Sequence, residues 1–162
     1  MRLLALDQSS KISGYAVFEN DKLIAEGYFS LCASDPIEQR LNALLAELNK
    51  IYRDYEFDKL VFEDIQLQAG NVKTFKTLSY VQAAIIIWCY NNDIKYSISA
   101  PSHWRSIIKD KCGVSFGRKR AEQKQAAMDF IKEKYNLDNP TEDTCDAICI
   151  GFAHLLEKKG AF

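Results

Sequence analysis

The sequence predicts an α/β chain on a mixed five-stranded sheet, with three antiparallel strands first, parallel strands after, and helices flanking both. Three observations predict it. Arg2-Leu-Leu-Ala-Leu-Asp7 is an apolar run bounded by charge, the pattern of a strand buried on both faces with one carboxylate at its exposed end. Two β-rich runs, Gly14 to Glu19 and Lys22 to Phe29, follow and meet at Asn20-Asp21, a pair that tolerates positive φ and suits a tight hairpin. Last, Leu60-Val61-Phe62, a helical pattern and a strand from Ile94 to Ile98 make a βαβ unit, whose strands run parallel.

The helices follow from spacing. Asp35-Pro36-Ile37-Glu38 sets a cap, a first-turn proline and an N3 glutamate in order, and Ile37, Leu41, Leu44, Leu45, Leu48, Ile51 and Tyr55 recur at helical intervals behind them. Val72, Phe75, Leu78, Val81, Ile85, Ile86 and Cys89 mark a long helix, broken at Asn91-Asn92. Pro101 opens a short helix through Trp104 and Ile108, with ordinary packing expected for Trp104. Gly113 to Gly117 reads as a mobile loop, and Arg118 to Tyr135 as a helix with Ala127, Phe130 and Ile131 inward. Asn139-Pro140 separates it from a last helix, Thr141 to Lys158, which Thr141 caps. His154 falls on the surface of that helix.

A length of 162 residues, 48% hydrophobic and 27% charged, suits one domain spanning residues 1–162. No apolar run reaches a membrane span and the N-terminus lacks a signal-peptide pattern, so no membrane partner is expected. The five cysteines form no Cys-x-x-Cys pair and read as reduced small hydrophobes, which places the chain in the cytoplasm. With two histidines a tetrahedral zinc site lacks ligands, so any metal is held by oxygen. Net charge is only −1, yet Arg105, Lys109, Lys111, Arg118, Lys119, Arg120 and Lys124 crowd one stretch that holds two acids, Asp110 and Glu122. Such a segment suits a polyanion.

The acids carry the chemistry. Asp7 and Glu63 each terminate an apolar strand, and Asp143 and Asp146 stand three apart on one face of the last helix. Dipole complementarity accounts for Glu142 and Asp143, but Asp146 precedes the apolar run Ala147-Ile148-Cys149-Ile150-Gly151-Phe152. A carboxylate at the edge of a core needs a partner, and no sequence neighbour is cationic. Ends of parallel strands lie side by side, and a helix packed beside them brings all four acids together. Such a group is unfavourable unless it holds hard cations, for which Mg²⁺ is suited. Two Mg²⁺ ions roughly 3.5 to 4 Å apart suit phosphodiester hydrolysis, one activating water and the other stabilising the leaving oxygen. Mn²⁺ is expected to substitute.

Leu-Ala-Leu-Asp7, Gly14-Tyr15-Ala16-Val17 on the next strand, Val61-Phe62-Glu63 and Asp143-Thr-Cys-Asp146-Ala147, in this order and spacing, resemble the RuvC family of Holliday junction resolvases in the ribonuclease H-like superfamily. The resemblance runs nearly end to end. It implies a ribonuclease H-like fold, a homodimer, Mg²⁺ dependence and symmetrical nicking of four-way DNA junctions; action on other branched DNA such as replication forks is expected only from the chain's departures from the family. It makes Asp7, Glu63, Asp143 and Asp146 the catalytic, metal-binding acids, and sets basic residues that assist cleavage near Arg105 and Lys124. Lys109, Arg118, Lys119 and Arg120 join these as candidate contacts to DNA phosphates, which position without reading sequence. Asp64 and Glu142 are second choices among the acids.

The chain departs from the family at two places. Gln8-Ser9 replaces the Pro-Gly that usually follows the first aspartate, and Gln66 stands where an aromatic often follows the second acid by three residues. Both departures suggest a divergent, phage-type member with relaxed sequence preference. Phe75 remains able to stack on a base, though its spacing favours the core. A sugar-kinase or actin-like ATPase shares the opening strand, acid and hairpin. It needs two such domains and a glycine-rich phosphate loop, so no nucleotide cofactor is expected. A ribonuclease H shares the acids, and a non-enzymatic branched-DNA binding protein shares the basic segment.

Overall fold

The computed structural model describes residues 1–67 and 70–159. Strand β1 (Arg2–Asp7) lies mid-sheet because its side chains are apolar in both directions, Leu3 and Ala5 to one face, Leu4 and Leu6 to the other. It pairs antiparallel with β2 (Ile12–Glu19), which pairs antiparallel with β3 (Lys22–Ser30) through a turn at Asn20, whose φ is 55°. On its other side β1 pairs parallel with β4 (Lys59–Glu63), and β4 with β5 (Lys95–Ser99), giving the order β3-β2-β1-β4-β5. The mixed five-stranded sheet expected from the sequence is therefore the one observed.

Each face carries its own core. Helices α1 (Ile37–Tyr55) and α2 (Val72–Asn91) cover Leu4, Leu6, Leu60 and Phe62, and the Trp88 indole donates a hydrogen bond to Asn49 at 2.8 Å to tie the two helices together. Helix α5 (Glu142–Lys159) lies on the other face against β1 and β2. In turn α3 (Pro101–Cys112) and α4 (Arg120–Tyr135) cover it. That enclosure explains the near-continuous apolar run of α5, with Ala147 through Gly151 buried on all sides. Gly151 is needed where α5 crosses the sheet, since a Cβ there would stand 2.4 Å from the Phe18 ring.

Several details differ from the pattern reading. No side chain caps α1, whose N-cap is Pro36 rather than Asp35. In α2 the first turns lie off the core: Val72 is exposed and only Val81, Ile85, Trp88 and Cys89 are buried, because the helix runs on past the edge of the apolar sheet. The stretch expected to be a mobile loop is pinned, with Phe116 buried edge-on against Trp104 at 5.6 Å. Helix α4 starts at Arg120, two residues late, because the Glu122 carboxylate accepts the Arg118 and Lys119 backbone N–H groups. His154 is half-buried with its Nε2 enclosed, because α5 is covered on its outer side too. Among the described residues all cysteines are free, and no helix is long and apolar enough to cross a membrane.

Candidate active site

Strand periodicity aims the first two acids. Asp7 lies two residues beyond Ala5, and Glu63 two beyond Val61, so both carboxylates project from the α5 face at neighbouring strand ends. Helix α5 begins at the same edge. Its first turn comes against β2 because Gly14, paired with Asp7, has no side chain: a Cβ there would stand 2.0 Å from the Asp143 carbonyl oxygen. Thr144 anchors the turn by donating to the Gly27 carbonyl of β3 at 3.1 Å, and the Thr141 hydroxyl accepts the Thr144 N–H at 3.2 Å, the expected cap. Asp143 and Asp146 are thereby turned toward the strand ends.

Asp7, Glu63, Asp143 and Asp146 line one open cleft of about 410 Å³, together with Arg105, Arg120 and Lys124. Of the six basic residues expected to meet DNA, these three reach it. Lys109, Arg118 and Lys119 are exposed and lie outside it. Asp64 lines the rim, whereas Glu142 is exposed and pairs with the Lys124 ammonium. Gln66 and Phe75 also line the cleft, Phe75 half-buried on the first turn of α2 rather than in the core.

The site strains against its own charge. Burial, then the fields of Glu63, Asp146 and Asp143, hold the Asp7 carboxyl well above the ordinary carboxylate range. Burial and the Glu63 charge push Asp146 up to about 7. Burial also raises Asp143, and raises Glu63 in spite of the Trp104 hydrogen bond and the nearby Arg105 and Arg120 charges. Burial alone would depress Lys124, but its hydrogen bond to Glu142 and the charges of the acids raise it on balance. Among the described residues no three His, Cys, Asp or Glu side chains already form a closed site for one ion. The acids face a shared opening rather than the tight group expected. That openness suits Mg²⁺, which keeps several waters and takes one or two carboxylates together with substrate phosphate oxygens.

Two residues matter here that sequence reasoning did not place. Gln8 is buried and brackets the backbone of Glu63, donating through Nε2 to its carbonyl and accepting its N–H through Oε1 at 3.1 Å. Trp104 packs in the core as expected, but its indole N–H also donates to Glu63 Oε1 at 2.9 Å. Over its ring, 4.5 Å from the centroid, sits the Arg105 guanidinium, whose enclosed Nε has no partner among the described residues.

The family model described as crossover junction endodeoxyribonuclease RuvC matches residues 3–154. The chain belongs to the RuvC family. Its activity is that of a hydrolytic endodeoxyribonuclease. The RuvC of Finegoldia magna is 26% identical over 98% of this chain and 95% of its own length. Two solved structures share the fold across nearly all of both chains. One is Thermus thermophilus RuvC in complex with Holliday junction substrate, at TM-score 0.78 and 10% identity, covering 99% of this chain and 97% of that one. The other is fowlpox virus resolvase with Holliday junction DNA, at TM-score 0.65 and 16% identity, covering 98% and 99%. The ribonuclease H-like fold is thus common to all three.

Proposed function

We propose that this RuvC-family chain is a structure-selective endonuclease that nicks four-way DNA junctions, and more broadly branched DNA, by Mg²⁺-dependent phosphodiester hydrolysis. The observation that carries the reading is the convergence of Asp7, Glu63, Asp143 and Asp146, from three separate elements, on one cleft edged by Arg105, Arg120 and Lys124. The donor set fits hard divalent cations: partly buried carboxylates, whose ionised form is disfavoured by burial and by the neighbouring acids, gain most from a cation of charge two. Asp7, Glu63, Asp143 and Asp146 would hold it. When bound, a pair of such ions supplies an activated water and neutralises charge on the leaving oxygen.

The chain's own residues do the rest. Asp7 and Glu63, on adjacent strands of a packed sheet, are rigid against each other, while α5 brings Asp143 and Asp146 as a unit. Arg105 lines the cleft with a guanidinium charge, which a phosphate oxygen would meet. Lys124 stays charged and neutralises part of the acid field. Phe75 offers a ring at the rim on which a base unpaired at a branch can stack. Lys109, Arg118 and Lys119, outside the cleft, serve DNA arms leaving it. Mn²⁺ is expected to replace Mg²⁺.

A homodimer supplies the second site that paired cuts require. Supporting it, Tyr80 and Ile87, seven apart on one face of α2, are 42% and 58% exposed, and Tyr96 and Ile98 on edge strand β5 are 43% and 41% exposed. They expose large apolar side chains on both the helix and the sheet edge.

The test compares four-way, three-way and linear DNA with an RNA:DNA hybrid, in Mg²⁺, for wild type and Asp7→Asn. Cleavage of branched DNA by wild type only, with binding retained in the variant, is the expected result. Preference for the hybrid, or cleavage undiminished in Asp7→Asn, would overturn the reading. A panel of junctions differing only at the crossover tests breadth, and strict dependence on one short sequence would refute relaxed preference.

A further inference from the structure

We propose that Gln8 and Trp104 are positioning residues that hold Glu63 from two sides, its main chain through Gln8 and its carboxylate through Trp104. Together they leave Glu63 Oε2 as the freer oxygen with which to serve a divalent cation beside Asp7. The inference rests on the nuclease reading above and assigns roles that reading does not need.

The geometry carries it. The parallel ladder between β1 and β4 ends at the pair Leu6 and Phe62, one residue short of both acids. Asp7 and Glu63 themselves are not ladder partners. The Gln8 side chain takes over: its amide presents one donor and one acceptor to the Glu63 peptide groups, as the next residue of a paired strand would. It is 7% exposed, so both bonds form away from competing water. A proline at this position would have neither group. From the other side, the Trp104 N–H occupies Glu63 Oε1, and Trp104 is fully buried and wedged against Phe116. A carboxylate with one oxygen already accepting a hydrogen bond offers its other oxygen as the freer ligand, which favours monodentate binding. Single-oxygen ligation suits the strict octahedron of Mg²⁺, whereas the larger Ca²⁺ accepts both oxygens.

Two variants isolate the hydrogen bonds from the packing. Gln8→Met preserves length and burial and removes both bonds to Glu63. Trp104→Phe preserves an aromatic ring for Arg105 and Phe116 and removes the N–H. Mn²⁺, Mg²⁺ and Ca²⁺ binding to the metal-free full chain is titrated by calorimetry, and four-way junction affinity is measured in chelator. Thermal melting confirms that each variant is folded. Outer partners of metal ligands typically contribute 10–100-fold to affinity. The expected result is Mn²⁺ and Mg²⁺ binding weakened roughly tenfold in each variant, with metal-free junction affinity unchanged. In Trp104→Phe the preference for Mg²⁺ over Ca²⁺ narrows as well. Wild-type metal affinity in both folded variants would overturn the inference and leave the nuclease reading standing. Junction affinity falling in step with metal affinity would also overturn it, by showing general distortion instead. A wild-type chain that binds no divalent ion would overturn both.

Discussion

Asp146 stands one residue before the buried run that begins at Ala147, and burial with the Glu63 charge holds its carboxyl up to about 7. Its effect on stability has a definite sign. Below the ordinary carboxylate value the folded and unfolded chains are both protonated and Asp146 costs nothing. From there to about pH 7 the unfolded chain releases a proton that the folded chain keeps, so the metal-free protein loses stability as pH rises. Asp146→Asn should abolish cleavage yet raise the melting temperature of the metal-free protein at pH 7 to 8, by no more than about 4 kcal/mol in stability. A variant less stable than wild type there would contradict the account of the site. His154 acts in the opposite sense. Burial, then Lys59 and Lys158, lower its imidazole to about 4, so stability is lost as pH falls from the ordinary histidine value toward 4. Replacing His154 with leucine should flatten the acid limb of a melting-temperature profile without affecting the response to Mg²⁺.

At the scale of elements, the site exists because α5 lies unusually close to β2, and Gly14 allows that approach. Gly14→Ala puts a methyl into the Asp143 backbone and must lift the first turn of α5, which carries both of its acids. Overpacking of this kind costs about 1–3 kcal/mol. Denaturant melts should show that loss, with cleavage falling at least tenfold beyond it; a variant with wild-type activity would refute the close-approach account. The strands bearing Asp7 and Glu63 were legible in the sequence as short apolar runs closed by charge; a lone strand-end acid reads more readily as the start of a turn, and the other acids are what set these two apart. Asp143 and Asp146 were legible from their spacing ahead of a buried stretch. Gln8 and Trp104 were not, since a polar residue after a strand and a tryptophan in a helix are ordinary until their partners are seen. The core placement expected for Phe75 also failed. Helical period shows which residues share a face, but not where the sheet beneath that face ends.

For the whole molecule, the near-neutral charge conceals a polarised surface, with Arg105, Arg120 and Lys124 around the acids and Lys109, Arg118 and Lys119 beyond them. Junction affinity in chelator should fall steeply with salt, by a factor of about 10³ or more between 50 and 200 mM if six phosphates are neutralised. Affinity indifferent to salt would exclude this face as the DNA site. Ile87→Glu sets a charge among the exposed apolar side chains of α2 and should convert a dimer to monomers in sedimentation equilibrium, with the metal-free fold intact. The account depends most on the acid cleft as a seat for divalent ions. Anomalous diffraction from crystals grown with Mn²⁺ tests that directly. The predicted result is Mn²⁺ in contact with carboxylate oxygens of Asp7, Glu63 and the Asp143/Asp146 pair. Mn²⁺ held elsewhere, with these four acids left without metal, would contradict it.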